Sequence, residues 1–348
     1  MSTSDKICNV TPSSKSNDDV CDANNMLKVK DMSMVDKDNS VSVCANCGKA
    51  GSSDNMNTCN KCKQVKYCNA VCKKVHKKKH KKDCEEYQRL AAERRSDELR
   101  RAAELHDKEL FKQPPPADDC PICFLRIPSL ETGWKYKTCC GKVICSGCIH
   151  APLYDNQGNE VDNQKCPFCR VPKPTSNDEI RERLKKRVEA GDAMAMLNHG
   201  NSYFGGLNGY SQDYNKALEL WHRAGELGLT DAYYCIGITY ERGDGVEVDN
   251  KKAMQYYDLA AIGGCVGARH NLGINEIKGD DMDRALKHWM IAVRSGCSRS
   301  LEAIKQFYSS GHATKEDYTN ALQSYQAYLG EIKRSLWISF VTTDGFYT

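Results

Sequence analysis

No run of about 18 apolar residues occurs anywhere in the 348-residue chain, so no membrane-spanning helix and no membrane partner are expected. Its opening, MSTSDKICNV, is polar and has no apolar stretch of the secretory type. Charge of neither sign dominates: 50 Lys and Arg stand against 46 Asp and Glu, and a net +4 argues against a general nucleic-acid binder. No P-loop, nucleophile elbow or H-E-x-x-H motif is present, which argues against an enzyme with an active site of its own. Residues 1–43 are almost without aromatics and rich in Ser, Asn and Asp. Such a segment cannot bury enough apolar surface to offset its ordering entropy, so it is expected to be a disordered tail with Cys8 and Cys21 as bystanders.

Cysteine is abundant instead, at 20 residues of 348. Without secretion, cysteines in C-x-x-C pairs point to metal rather than disulfides. The chain is therefore expected inside the cell, in cytoplasm and/or nucleus. One local charge anomaly is Lys73 to Lys82, seven lysines in ten residues with no acid, which reads as a solvated helix face able to meet phosphate.

The first cysteine cluster reads Cys44-x-x-Cys47, Cys59-x-x-Cys62, Cys68-x-x-x-Cys72 and His80-x-x-x-Cys84. Eight donors suffice for two closed tetrahedral zinc sites. A C-x-x-C pair makes a tight knuckle with both sulfurs facing one ion, and Gly48 eases the first turn. The three-residue gaps put Cys68 with Cys72, and His80 with Cys84, on one helix face. With Tyr67 before Cys68 and the Lys/His-rich stretch before His80, these residues resemble the MYND zinc finger over 44–84. The resemblance implies interleaved pairing: Cys44, Cys47, Cys68 and Cys72 on one zinc, and Cys59, Cys62, His80 and Cys84 on the other. It also implies binding of short, often proline-containing peptides of partner proteins.

Residues 85–117 read as a linker. Glu85 to Phe111 is rich in Ala, Glu, Arg and Leu and predicts a long charged helix, ended by Pro114, Pro115 and Pro116. Leu90, Leu99, Leu105 and Leu110 are too sparse for a sustained heptad seam, and leave a short coiled-coil contact open.

The second cluster, within 118–172, has Cys120-x-x-Cys123, Cys139-Cys140, Cys145-x-x-Cys148 and Cys166-x-x-Cys169, again enough for two zincs. Asp118-Asp119-Cys120-Pro121-Ile122-Cys123 and Cys166-Pro167-Phe168-Cys169-Arg170 resemble the opening and closing of a RING finger. The resemblance implies Cys120, Cys123, Cys145 and Cys148 on one ion, and Cys139, Cys140, Cys166 and Cys169 on the other. It further implies that Ile122 and Pro167 form an apolar contact for a ubiquitin-conjugating enzyme and that Arg170 bridges enzyme and ubiquitin. A planar guanidinium suits that bridge because it donates to two carbonyls at once. Such a module does no bond-making; it restricts a loaded thioester to reactive geometries. Two departures stand out. The adjacent pair Cys139-Cys140 replaces the usual histidine-containing middle, with Gly141 easing the bend and His150 as fallback ligand. Between Ile149 and Lys165, Leu153 and Tyr154 stand where many active RINGs have a tryptophan.

From 176 to 332 the pattern is helical and repetitive. Ser176 and Glu179 form a capping-box spacing, followed by Ile180, Leu184 and Val188 on one stripe. Lys216-Ala217, Lys252-Ala253, Arg284-Ala285 and Asn320-Ala321 recur at spacings of 36, 32 and 36 residues. Four residues beyond each alanine lies an aromatic, Trp221, Tyr257, Trp289 and Tyr325. Seven beyond lie Ala224, Ala260, Ala292 and then Tyr328; eleven beyond lie Gly228, Gly264, Gly296 and then Ile332. Gly200 and Tyr203 match Gly237 and Tyr240, with Gly273 next in the glycine slot. One such two-helix unit cannot bury its apolar face, but a stack can. The pattern resembles Sel-one-like repeats, relatives of the tetratricopeptide repeat, with a degenerate fourth unit. Cys235, Cys265 and Cys297 read as small core residues. In the tail, 333–348, Leu336 to Tyr347 is apolar and suited to sealing the stack.

The expected fold is thus mainly α: two small cross-braced α+β zinc modules with four zinc ions, then an α-solenoid of helical hairpins. The order resembles multi-zinc Sel-one-like repeat proteins of microbial eukaryotes. It implies a RING-type ubiquitin ligase whose MYND and repeat modules recruit protein substrates, or alternatively a zinc-finger scaffold without ligase activity.

Overall fold

The structure, a computed structural model, describes residues 41–52, 55–114, 118–128, 133–149 and 164–341, without the side chains of 41 and 333–341. The readings of the tail 1–40, Cys8, Cys21, Pro115, Pro116, His150, Leu153, Tyr154 and the apolar C-terminal side chains lie outside the described residues. The chain divides into two compact units, with the boundary between Lys108 and Glu109.

The first unit opens with two short hairpins. Strand β1 (Val41–Val43) pairs antiparallel with β2 (Ala50–Ser52), and β3 (Asn57–Thr58) with β4 (Lys66–Tyr67). Helix α1 (Ala70–His76) follows, its free amides capped by the Asn69 side chain, which accepts from Cys72 N at 2.8 Å. Helix α2 runs from Lys81 to Leu110. It starts four residues before the predicted Glu85 because the turn is already formed inside the finger: Cys84 N donates to His80 O at 2.8 Å. Leu99 and Leu105 on this helix are exposed, and its surface is held by i,i+3 and i,i+4 pairs such as Arg89–Glu93 and Arg100–Asp97.

The second unit contains a hairpin of β5 (Trp134–Lys137) and β6 (Lys142–Cys145), then the single turn α3 (Ser146–Ile149). Its core is Ile127 and Ile144 packed among the cysteines. Nine helices follow among the described residues: α4 (Asn177–Glu189), α5 (Ala193–Gly205), α6 (Tyr214–Glu226), α7 (Asp231–Arg242), α8 (Asn250–Ile262), α9 (Val266–Lys278), α10 (Met282–Arg294), α11 (Ser298–Ser310) and α12 (Lys315–Val341). Ser176 caps α4 by accepting from Glu179 N, but Glu179 reaches back to Thr175 N at 2.9 Å, one residue earlier than a capping box requires.

Helices α5/α6, α7/α8 and α9/α10 pack as three hairpins, with α11/α12 as a fourth. The alanines of the repeat, Ala217, Ala253, Ala285 and Ala321, are fully buried, and so are the aromatics Trp221, Tyr257 and Trp289. The matching glycines of the preceding helices explain the pairing. A Cβ on Gly200 would lie 2.5 Å from Trp221 Nε1, one on Gly237 2.6 Å from the Tyr257 ring and one on Gly273 2.3 Å from Trp289 Nε1. Bare backbone there lets each large ring cross its partner helix at contact distance. Cys265 and Cys297 are buried and Cys235 is half-buried. Helix α12 continues to Val341, beyond the expected end of the repeats at 332.

Candidate metal centres

Four groups of four donors gather in the structure, each with all its ligand atoms within 4.8 Å of one another: Cys44, Cys47, Cys68, Cys72; Cys59, Cys62, His80, Cys84; Cys120, Cys123, Cys145, Cys148; and Cys139, Cys140, Cys166, Cys169. In both modules successive pairs alternate between two centres, the interleaving that the resemblances imply.

The donor spacing fits zinc. A tetrahedral ion with Zn–S bonds of about 2.3 Å spaces its sulfurs about 3.8 Å apart. The sulfurs of Cys47 and Cys68 are 3.6 Å apart, those of Cys59 and Cys84 3.7 Å, of Cys123 and Cys145 3.7 Å, and of Cys140 and Cys166 3.9 Å. Cys62 Sγ lies 3.3 Å from His80 Nε2. All these thiols are free, with no disulfide between them. Soft thiolates and one imidazole with no oxygen donor select zinc over hard cations.

Local backbone explains how the sulfurs converge. Of the five C-x-x-C knuckles, Cys145-x-x-Cys148 runs into the helical turn α3. At the other four the residue after the second cysteine is left-handed: Gly48, Lys63, Phe124 and Arg170, with φ of 74°, 59°, 58° and 63°. Its amide returns to the carbonyl of the first cysteine, Gly48 N to Cys44 O at 2.9 Å, Lys63 N to Cys59 O at 3.1 Å, Phe124 N to Cys120 O at 2.9 Å and Arg170 N to Cys166 O at 3.0 Å. Gly141 takes the same conformation after Cys139-Cys140, φ 70°, with its amide on Lys137 O. The sequence signalled this slot only through Gly48 and Gly141; at the other three positions a side chain occupies a strained conformation.

Electrostatics divides the thiols. In every group one knuckle-opening cysteine is held low. The amides of Cys68 and Cys47 bring Cys44 to about 6. At Cys59 burial opposes, but the amides of Cys62 and Lys61 prevail and the value is about 6. The same contest at Cys120 and Cys166 ends at about 7. Hydrogen bonds shared with Cys72 and Cys47 push Cys68 up to about 12, and burial raises Cys84 and Cys145 to about 11. Burial also raises Cys139, Cys140 and Cys148. Because a metal-bound thiol must be deprotonated, filling each site releases protons.

Around the first finger Tyr67 is 1% exposed, shares a hydrogen bond with His76 Nδ1 at 3.3 Å, and His76 stacks on His80. A family model described as MYND finger matches residues 44–84, and one described as Sel1 repeat matches 193–229 and 230–265.

The chain carries a MYND finger and Sel1 repeats.

Both the MYND finger and the Sel1 repeat are protein-interaction modules. Among curated proteins the chain is similar to the ERAD-associated E3 ubiquitin-protein ligase component HRD3B of Arabidopsis thaliana, 32% identical over 112 residues, which are 32% of this chain and 17% of that protein. It is also similar to the E3 ubiquitin-protein ligase DA2 of Arabidopsis thaliana, 40% identical over 55 residues, 16% of this chain and 12% of that one. The chain therefore spans less than a fifth of either relative. Among solved structures a Sel1 repeat protein from Oxalobacter formigenes is 27% identical, covering 47% of this chain and 66% of that one with a TM-score of 0.39. The protective antigen c5321 of uropathogenic Escherichia coli, displaying an SLR fold, is 31% identical, covering 43% of this chain and 33% of that one with a TM-score of 0.38.

Of the residues expected to meet a conjugating enzyme, Ile122 is 37% exposed at the third position of its knuckle, Pro167 is half-buried at the second position of the last knuckle, and Arg170 is exposed just after it. Phe124, 77% exposed, and Phe168 add apolar surface on the same two knuckles. Sequence reasoning missed both. It also missed the helix contacts of the Cys139-Cys140 elbow: Arg187 of α4 donates through Nη2 to Cys139 O at 2.7 Å, and Tyr136 donates its hydroxyl to Asp192 Oδ2 at 2.7 Å. No helix among the described residues is long and apolar enough to cross a membrane.

Proposed function

We propose that each of the four donor groups holds one zinc and that the chain is an intracellular RING-type ubiquitin ligase. The module of residues 118–172 would hold a ubiquitin-loaded conjugating enzyme through Ile122, Pro167 and Arg170, while the MYND finger and the repeats recruit protein substrates. The observation that carries this reading is the second module itself: two interleaved four-cysteine groups, no open coordination position, and knuckle apolar residues left exposed beside Arg170. A closed zinc site gives shape rather than Lewis-acid chemistry. What remains for the module is positioning, and exposed Ile122 and Phe124 have no structural reason to face water in a module with so small a core. Similarity to two proteins named for E3 ubiquitin ligases supports the same class.

The test is autoubiquitination with a panel of conjugating enzymes, on protein shown to hold four zincs. Chains are expected with wild type, falling at least about tenfold in Ile122→Ala and Arg170→Ala, the loss of one apolar anchor or one charge-assisted contact. No chains with any conjugating enzyme would leave the non-enzymatic scaffold as the function.

A further inference from the structure

The Cys139-Cys140 half of the fourth donor group differs from the C-x-x-C turns in how its backbone is satisfied. At the Cys44, Cys59, Cys120 and Cys166 knuckles the carbonyl of the opening cysteine accepts an amide from within its own turn. Cys139-Cys140 has no intervening residues and cannot close that turn on itself. The bend is held on one side by Gly141 N and Cys140 N, both donating to Lys137 O, at 2.8 and 3.2 Å. Its outer carbonyls, Thr138 O and Cys139 O, are met by another element. Arg187 Nη2 donates to Cys139 O at 2.7 Å and Arg187 Nε to Thr138 O at 3.4 Å.

The bracket is wider than one arginine. Asp192 accepts from the Tyr136 hydroxyl through Oδ2 and caps α5 through Oδ1, from Ala195 N at 3.1 Å. One turn earlier on α4, Arg183 Nη2 donates to Pro172 O at 2.9 Å, just after the last knuckle. The elbow glycine is fitted to this partner: a Cβ on Gly141 would stand 2.6 Å from Asp192 Oδ2 and 3.1 Å from Arg187 Nη1.

We propose that the start of the repeat array is part of the fourth zinc centre: Arg187 positions the Cys139-Cys140 elbow, so retention of that zinc depends on α4. This rests on the reading of Cys139, Cys140, Cys166 and Cys169 as a zinc site. The physical reasons are two. A planar guanidinium can bind two successive carbonyls of a sharp bend, which an ammonium cannot do with the same geometry. Four thiolates on one Zn²⁺ leave a local charge of about −2, and a cation hydrogen-bonded to the backbone of the donor Cys139 stabilises the loaded centre. Groups that orient metal ligands from outside cost about 10- to 100-fold in metal affinity when removed.

The experiment measures zinc release from the full chain under chelator challenge, followed with a metallochromic dye, together with total zinc content and far-UV circular dichroism. Arg187→Gln is expected to release one equivalent of the four at least about tenfold faster than wild type, with the other three and the helical signal unchanged. Arg187→Lys is expected in between. Tyr136→Phe, which leaves the arginine in place and removes only the hydroxyl bond, guards against a folding artefact and is expected to accelerate the same equivalent more modestly. Adding Cys166→Ser to Arg187→Gln should abolish the fast equivalent. Release at wild-type rates in both Arg187→Gln and Tyr136→Phe, or a fast equivalent that survives Cys166→Ser, overturns the proposal. A wild-type chain holding fewer than four zincs overturns the zinc reading itself, a separate outcome seen before any variant is compared.

Discussion

His270 is a neutral histidine built into the repeat core. It is buried between α9 and α11, its Nδ1 shares a hydrogen bond of 3.0 Å with Ser300 Oγ, and that hydroxyl donates on to Cys297 Sγ at 3.3 Å. Burial, with a smaller contribution from Arg299, lowers its pKa to about 4. Because the folded value lies below the unfolded one, the stabilisation is complete above about pH 6.5 and is lost as pH falls toward 4. The full loss amounts to about 3 kcal/mol. Between pH 7 and 4.5 the melting temperature of wild type should therefore fall further than that of His270→Gln, which carries no proton to gain. Parallel pH profiles for the two proteins would contradict this. Nothing in the sequence marked His270, since its role depends on which helix packs over it. The sixteen donors that gather in four groups were legible because they stand in close pairs, and a C-x-x-C turn in particular needs no tertiary information to bring its two sulfurs together. Arg187 was not legible: it reads as one more charge on an exposed helix until β5 and the elbow are placed beside it.

At the level of single elements, the repeat is punctuated by aspartate. Asp213, Asp249 and Asp281 stand four residues before the recurrent alanine and cap α6, α8 and α10, accepting from Lys216 N at 3.0 Å, Lys252 N at 2.9 Å and Arg284 N at 2.9 Å. The Lys/Arg-Ala pairs used to align the repeat are thus the third and fourth residues of a capped helix, and the basic residue's amide is the one being capped. The fourth hairpin breaks the pattern for a visible reason. Thr314 takes the cap, Asp317 moves to its reciprocal position by accepting from Thr314 N at 2.9 Å, and α12 begins earlier in its repeat than α6, α8 or α10. Replacing Asp249 by Ala should cost about 1 kcal/mol and lower the melting temperature by a few degrees. A thermal melt of Asp249→Ala beside Asp249→Asn, an equally good cap, checks it; equal losses in both would point away from capping. Helix types and hairpin order were thus written in the pattern of alanines, aromatics and glycines. The exact ends of α2 and α12 were not, because a hydrogen bond within the finger and the helical continuation past 332 set them.

For the molecule as a whole, metal and helix contribute separately. The cluster of Ala285, Trp289, Val293, Ile304 and Phe307 contains no zinc donor, so the repeats have an apolar core of their own. Among the described residues the two zinc modules bury little besides their donors and Tyr67, with Ile127 and Ile144 the buried aliphatics of the second. Stripping zinc with a strong chelator at neutral pH should unfold both modules while most of the helical circular-dichroism signal remains; loss of most of that signal would mean that the repeats lean on the metal. Interleaving has a further consequence for synthesis, which runs from the N-terminus. The first centre is complete only when Cys72 has emerged, the second with Cys84, the third with Cys148 and the fourth with Cys169. Each module thus passes through a stage in which half of its donors have no closing partner. The fourth centre waits longest, since Arg187 lies beyond its last ligand, and a nascent chain halted at the end of the second module would expose four sulfurs to oxidation or to the wrong metal.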